Sequence, residues 1–296
     1  MLAGGDGGSV NVGGTTPGGA PQLWNLQATP VLADEGLVVA NGTLDADMTE
    51  LFYSKQSRAS EAKTQIYRAD ATGSGFGGEN ALTLGTWMAK DIDAASPAIS
   101  STGTELWLGM LNPANGNTDI YVCKGENDTW TTPLLVTELS SDQGDDQPRP
   151  PAVNGTIMSL ASKRHGESHL YQIYLSERPD PNSPWSQPLR DKLGDINSPL
   201  FQSADGFLNS EGTELYFSSN RDNPGGDSDL YVARRPSVDD VFGAPQRLDD
   251  LITTCVDPAT TCEERMPWLS PAGDRLYFAS NRTGDYALYV ATRVTP

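Results

Sequence analysis

Five short stretches of the chain repeat one pattern of polar and apolar positions: a polar or small residue, an aliphatic residue, a tyrosine and usually another aliphatic residue. They are residues 65–68, 119–122, 172–175, 229–232 and 287–290. The tyrosines lie 54, 53, 57 and 58 residues apart. A spacing of this length is typical of an array of one supersecondary unit.

Each unit is predicted to contain four short strands, a to d, of which the tyrosine stretch is strand c. Strand b is an aliphatic-aromatic stretch upstream, at residues 51–54, 106–109, 158–162, 215–219 and 276–280. A tight turn with Gly or Asn separates it from strand a, predicted at residues 42–45, 97–100, 151–154, 206–209 and 267–270. Strand d has an aromatic residue, usually followed by Pro and Leu, at residues 24–32, 76–84, 130–134, 185–189 and 242–248. Because proline is tolerated on edge strands, strand d is predicted to be outermost.

One such sheet buries too little surface to be stable alone, so the sheets should pack face to face in a ring. The sequence therefore predicts an all-β fold, a five-bladed β-propeller with four antiparallel strands per blade, over residues 23–296. The d segment that contains Trp24 precedes the first tyrosine strand, and the chain ends seven residues after Tyr289. The N-terminal strand is therefore expected to complete the last blade.

Residues 269–282, followed by Leu288-Tyr289-Val290, resemble the Pro-Asp-Gly repeat of TolB-like, WD-repeat-like propellers. Residues 208–232 are similar, with Ser219-Asn220-Arg221 after strand b, whereas the third copy has Lys163-Arg164. The resemblance covers residues 23–296, although TolB itself is similar to a six-bladed ring. It implies a non-catalytic exported scaffold that binds a protein or peptide partner.

A second interpretation stays open, because five-bladed propellers also include carbohydrate-binding proteins and glycoside hydrolases. Such an enzyme needs two suitably spaced carboxyl groups on the inner strands. The candidates are Asp45, Asp93, Asp146 and Asp205. The tryptophans could stack on sugars, although most fall at blade-packing positions; they are Trp24, Trp87, Trp107, Trp130, Trp185 and Trp268.

The N-terminal leader and the cysteines together suggest an oxidising compartment. Residues 1–22 are mostly Gly, Thr, Pro, Ser and Ala, which predicts a flexible leader. Leu2-Ala3-Gly4 resembles the residues before a lipoprotein cysteine, but position 5 is Gly. Cys255 and Cys262 bracket a short turn-rich loop and are predicted to form a disulfide, with Cys123 as a buried or edge thiol. We therefore expect a periplasmic or extracellular protein, tethered to a membrane through its leader, with no apolar run long enough to span one.

The charge balance restricts the partners. The chain has 20 Lys and Arg against 39 Asp and Glu, a net charge of −19, which repels nucleic acids and anionic membranes. The charge leaves cations, basic peptides and neutral sugars as partners. We expect the protein to be a monomer. Acidic residues precede the inner strands, and a calcium rather than zinc site is predicted at one channel mouth from Asp145, Asp146, Asp205, Glu263 and Glu264. The alternative is a set of solvated loop charges; His165 and His169 are predicted to be surface turn residues.

Overall fold

The computed structural model describes residues 24–33, 37–57, 63–86, 94–126, 129–165, 170–224, 226–252 and 262–294. For residues 37–41, 57, 126, 145 and 146 the description covers the backbone alone. The predicted leader, residues 1–22, lies outside these ranges. No helix in the described part of the chain is long and apolar enough to cross a membrane.

The described residues form five antiparallel sheets, one for each sequence repeat. The first contains β2 (Leu37–Leu44), β3 (Glu50–Ser57), β4 (Gln65–Ala71) and β5 (Phe76–Ala81). The second contains β6 (Ala94–Ile99), β7 (Glu105–Leu111), β8 (Thr118–Glu126) and β10 (Leu134–Leu135), with β9 (Thr129–Trp130) also beside β8. The third contains β11 (Asp145–Asp146), β12 (Ile157–Ser162) and β13 (Gln172–Glu177).

The fourth sheet contains β14 (Ser203–Leu208), β15 (Glu214–Ser219), β16 (Asp229–Arg234) and β17 (Gln246–Arg247). The fifth contains β18 (Glu264–Leu269), β19 (Arg275–Ser280), β20 (Ala287–Arg293) and β1 (Trp24–Leu26). Two short 3₁₀ helices, Gly194–Ile196 and Asp249–Leu251, lie in the connections that enter the fourth and fifth sheets. Sheets that are neighbours in the sequence are in contact, and the fifth also contacts the first. The predicted β-propeller class is therefore confirmed.

The expectation of five four-stranded blades is wrong in one repeat, because four of the sheets have four strands or more and the third has three. Its outer segment, residues 185–189, meets β13 at two separate places and not along a continuous ladder. Leu175 and Leu189 exchange paired backbone hydrogen bonds at 2.9 and 2.8 Å, and the Ser186 N–H donates to the Glu177 carbonyl at 2.8 Å. Pro184 and Pro188 have no N–H to donate, so a regular ladder cannot extend along this segment. The inner strand is also reduced to the two residues of β11.

The predicted closure of the ring by the N-terminal strand is confirmed. β1 pairs antiparallel with β20, with Trp24 opposite Arg293, and Leu32 forms an isolated bridge with Leu288. The last sheet is thus built from both ends of the chain, and β20 has no free edge along this pairing. Trp24 is 5% exposed.

The Arg that follows strand b joins each of three blades to the blade before it. Its Nε donates to the serine hydroxyl two residues earlier, and its Nη2 donates to a carbonyl of the preceding connection. The three sets are Arg164 with Ser162 and Leu139 (3.0 and 2.6 Å), Arg221 with Ser219 and Ile196 (3.4 and 2.7 Å), and Arg282 with Ser280 and Leu251 (3.0 and 3.0 Å). In all three the guanidinium carbon also lies over the ring of the repeat tyrosine, at 5.1 Å from the ring centroid of Tyr174, 5.0 Å from that of Tyr231 and 4.7 Å from that of Tyr289.

The structure describes two of the three cysteines, Cys123 and Cys262. Cys123 lies in β8 as a fully buried free thiol, as expected, and burial raises its pKa to about 12. Cys262 is buried, but Cys255 lies outside the described residues. The Cys255–Cys262 disulfide therefore stays a prediction.

Candidate functional site

The innermost strands, which surround the channel, share a backbone irregularity. Pairing with the next strand shifts register between Ala40 and Thr43, Ala95 and Ala98, Ala204 and Phe207, and Arg265 and Trp268. The left-handed conformation occurs inside the last three shifts and just after β11, at Ser96 (φ 54°), Asp205 (57°), Met266 (59°) and Gln147 (58°). This conformation costs a non-glycine residue roughly 1–2 kcal/mol. Because it recurs at matching places, the packing around the channel must hold these residues there, as is found at many functional sites.

Backbone carbonyls of the irregular segments accept hydrogen bonds from side chains of other sheets. The hydrogen bonds run from Thr43 to the Pro97 carbonyl at 3.0 Å, from Ser159 to the Gly206 carbonyl, and from Arg149 Nη2 to the Pro267 carbonyl. They connect the first sheet to the second, the third to the fourth, and the third repeat directly to the fifth sheet.

Arg149 is buried against the inner strands of the fourth and fifth sheets. Its side chain is 0% exposed, and its guanidinium carbon lies 6.0 Å from the ring centroid of Phe207. Nη2 is bonded to Pro267, whereas Nε and Nη1 have no hydrogen-bond partner. Burial lowers the pKa of Arg149 to about 10, against the opposing effect of the nearby Asp205 charge. The guanidinium is therefore cationic at neutral pH, with two donors unused.

Asp205 is the carboxylate whose charge acts on Arg149. It is 0% exposed; its Oδ2 accepts a hydrogen bond from Ser218 Oγ at 2.6 Å and lies 3.6 Å from Arg265 Nε. Its Oδ1 has no hydrogen-bond partner. The backbone N–H of Asp205 donates to Gln147 Oε1 at 3.2 Å, which joins the left-handed residues of the third and fourth blades.

The two glutamates before the last inner strand are also held by neighbours. Glu263 accepts a hydrogen bond from Tyr286 and lies 3.7 Å from Arg265 Nη1. Burial, followed by this contact with Glu263, raises the pKa of Tyr286. Glu264 is 1% exposed, and its Oε1 lies 3.1 Å from both Arg282 Nη2 and Ser280 Oγ.

The described residues do not bring the predicted calcium ligands together. No group of three His, Cys, Asp or Glu side chains suited to a metal occurs among them. Asp205 and Glu263 instead share Arg265, and Glu264 pairs with Arg282. In β11, the backbone of Asp145 pairs with that of Ser162, and the backbone of Asp146 pairs with that of Ala161. The structure describes only the backbone of these two aspartates. Sequence reasoning missed the arginines, although Arg265 directly follows the glutamate pair and so signals local pairing.

The other candidates from the sequence are dispersed. Asp45 lies in the first a–b turn, where its Oδ1 accepts the backbone N–H groups of Thr49 and Glu50, both at 2.7 Å. Asp93, His169 and Trp87 lie outside the described residues, and His165 is exposed in a turn, as expected. The remaining five tryptophans are at most 6% exposed, so they pack blades rather than present a sugar platform.

An apolar cavity of about 140 Å³ lies where the inner strands end, on the face that carries the a–b turns. All five repeats contribute to its walls, with Leu44, Ile99, Pro151, Phe207 and Trp268 as representatives. We name this cavity the apolar mouth. Grooves of about 450 Å³ and 420 Å³ flank it, one between the first and second blades and one between the fourth and fifth.

No protein-family model matches the chain, and no curated protein matches it. Solved structures do match over most of its length. The chain is similar over 93% of its residues to 92% of a glycoside hydrolase, with a TM-score of 0.62 and 11% identity. It is similar over 94% of its residues to 92% of a protein assigned as TolB from Agrobacterium tumefaciens (TM-score 0.51, 14% identity). It is also similar, over 93% of its residues, to an α-L-arabinofuranosidase from Podospora anserina, of which the match covers 98% (TM-score 0.56, 12% identity). The fold they share is the β-propeller. At this identity the likenesses concern the fold alone, and membership of the Pro-Asp-Gly repeat family stays a prediction.

Proposed function

We propose that this propeller is a non-catalytic, exported, TolB-like scaffold that binds a protein or peptide partner. The observation that carries the proposal is the apolar mouth, to which all five repeats contribute walls. An exposed apolar concavity at the axis of a ring is the kind of surface that takes an anchoring side chain.

The size of the mouth favours one apolar side chain. Its volume of about 140 Å³ is close to that of an engineered apolar cavity, ~150 Å³, that binds benzene. Burying one aliphatic or aromatic side chain there stabilises a complex by about 1.5–3 kcal/mol. The net charge of −19 favours a peptide with basic residues near this anchor.

Selection from a random peptide library against the full chain tests this proposal. The selected peptides should share one apolar residue. Ser210→Trp, at an exposed residue of the mouth, should fill the cavity and lower their affinity at least tenfold, whereas Leu200→Trp, at an exposed residue outside it, should not. Ser101→Trp, which fills the mouth from the second blade, is the alternative variant if Ser210→Trp does not fold. Peptides that bind the filled and wild-type mouths equally, or a selection that yields none, would overturn the proposal.

A second candidate function is carbohydrate binding or cleavage, and Asp205 favours it. This fully buried carboxylate at the ring centre has one oxygen without a partner. Structural neighbours include a glycoside hydrolase and an arabinofuranosidase in complex with cellotriose. Glycan binding or hydrolysis that disappears in Asp205→Asn but not in Asp239→Asn, at an exposed residue outside the mouth and its grooves, would support this function. Equal loss in both variants, or no activity on any glycan, would count against it.

The finer architectural and cation proposals have their own tests. We count the three-stranded third sheet as a fifth blade. It carries a left-handed inner residue, Gln147, as the second, fourth and fifth sheets do, and the same arginine, Arg164, as the fourth and fifth. An experimental structure with only four units around the axis would contradict this count.

Calcium at the channel mouth should raise the melting temperature, since a ligand specific to the folded state stabilises it. An unchanged melting temperature between millimolar calcium and chelator would argue against that site.

A further inference from the structure

The apolar mouth and its two flanking grooves adjoin one another across the a–b face, and we name the three together the trough. The mouth shares Ala46, Ile99 and Ser101 with the groove between the first two blades. It shares Ser210, Leu269, Ser270 and Pro271 with the groove between the last two. A ligand bound in the mouth therefore lies next to both grooves.

The end of the trough at the first two blades is acidic. Asp45, Asp47, Glu50 and Arg68 line it, so carboxylates outnumber the guanidinium. Asp45 is engaged by the turn that follows it, and Glu50 lies 3.1 Å from Arg68. Asp47 is exposed, which makes it accessible to a cation of a ligand.

The opposite end is rich in arginine. Arg234, Arg235 and Arg293 line it together with Glu211 and Glu214. Glu214 already accepts hydrogen bonds from Tyr216, at 3.0 Å, and from Arg234, at 2.8 Å. Arg235 Nη2 and Arg293 Nε have no hydrogen-bond partner, and Arg235 is 4% exposed. This end therefore holds excess positive charge and unused donors.

We infer that the trough binds an extended peptide segment with a basic residue at one end, an apolar residue in the middle and an acidic residue at the other end. The inference rests on the proposed peptide-binding function and adds the polarity of the ligand to it. The basic residue lies against Asp47, the apolar residue enters the mouth, and the acidic residue meets the partly exposed Arg234 and Arg293. Opposite charges at the two ends also exclude segments that carry one sign throughout, since like charges placed together are unfavourable.

Synthetic peptides with blocked termini test the polarity on the full chain. Each carries a central Phe, Gly-Ser spacers of varied length, and end residues that are Lys and Asp, two Lys, two Asp, or Gln and Asn. Fluorescence anisotropy with the wild-type protein should show that the Lys–Phe–Asp peptide binds about 3- to 10-fold more tightly than the others, as exposed charge pairs allow. The advantage should decrease at high salt.

Charge reversal in the protein separates a binding role from a structural one. Asp47→Lys should change the ranking so that the Asp–Phe–Asp peptide binds best. Arg234→Gln should weaken the two peptides that carry Asp and leave the affinity of the Lys–Phe–Lys and Gln–Phe–Asn peptides unchanged. If all Phe peptides bind alike and Asp47→Lys leaves the ranking unchanged, the polarity is wrong while peptide binding at the mouth stands. If no Phe peptide binds, or Ser210→Trp binds them as well as wild type does, the proposed function itself fails.

Discussion

The guanidinium carbon of Arg293, in the last strand of the chain, lies 5.0 Å from the ring centroid of Trp24, in the first. Equivalent pairs occur in two other blades, where Arg178 lies 4.2 Å from Trp185 and Arg235 lies 4.4 Å from Phe242. In each pair an arginine at the end of strand c, or just after it, covers the aromatic residue of the outer segment. Only in the last blade do the partners come from opposite ends of the chain, so this contact closes the ring.

Trp24→Ala should therefore destabilise the protein by about 3–5 kcal/mol, the usual cost of removing a large buried aromatic side chain. Urea denaturation measures the loss. Leu134→Ala, at a residue that is 61% exposed on another outer strand, is the control and should stay within about 0.5 kcal/mol of wild type. A Trp24→Ala protein as stable as this control would show that the closure contributes little.

Arg282 gives a second prediction, because it joins the last two blades and lies 3.1 Å from the buried Glu264. Arg282→Ala removes the cation beside that carboxylate and should cost about 3–5 kcal/mol. Arg282→Lys keeps the charge but not the planar set of donors, so it should restore only part of the loss. The exposed Arg275→Ala is the control. Full recovery by lysine would mean that charge alone matters at this position.

The repeat pattern predicted strands b and c well, because both are short, apolar and bounded by turns. The tyrosine of each pattern lies in β4, β8, β13, β16 or β20. The inner strands were predicted about three residues too late in most repeats. Strands β6 and β18, for example, begin at Ala94 and Glu264, whereas residues 97 and 267 were predicted to begin them. Pro97 and Pro267 were read as strand starts, but each follows a left-handed residue, Ser96 or Met266, across which the strand continues.

The candidate site was harder to predict than the fold. Acidic residues before the inner strands suggested a cation site, yet Asp205 and Glu263 share Arg265, which comes from the same stretch as Glu263. Whether nearby opposite charges neutralise each other depends on which way the side chains point, and a left-handed residue such as Asp205 changes that direction. The apolar mouth draws two to four residues from each of five distant repeats, so no local pattern could indicate it.

The cysteine prediction remains to be tested by chemistry. In protein from an oxidising compartment, Cys255 and Cys262 should be oxidised and Cys123 should be free. Alkylation under denaturing conditions without reductant, followed by mass spectrometry, should then label one cysteine. Pretreatment with reductant should increase the label to three. Three labels without reductant would remove the main argument for export.

The buried thiol of Cys123 predicts a loss of stability in alkali. Burial raises its pKa from 9.0 to about 12, so above pH 9 the unfolded chain releases a proton that the folded protein retains. Stability therefore falls as pH rises through this window, by about 1.4 kcal/mol at pH 10. Cys123→Ala lacks this group, and its free energy of unfolding should decrease between pH 8 and pH 10 by about 1.4 kcal/mol less than that of wild type. Equal decreases would show that the thiol does not contribute.

The last prediction concerns Arg265, which lies between two carboxylates of the channel. Its Nε is 3.6 Å from Asp205 and its Nη1 is 3.7 Å from Glu263, and Asp205 is fully buried. Arg265→Met keeps much of the side-chain volume but removes the cation, so it should cost about 3–5 kcal/mol. If the cost arises from the charge left on Asp205, then the same substitution in an Asp205→Asn background should cost at least 1 kcal/mol less, as couplings of ~0.5–3 kcal/mol between contacting groups allow. The four proteins of this double-mutant cycle are compared by urea denaturation at pH 7. An equal cost in both backgrounds would show that Arg265 stabilises the channel by packing or through Glu263, and that Asp205 does not depend on it.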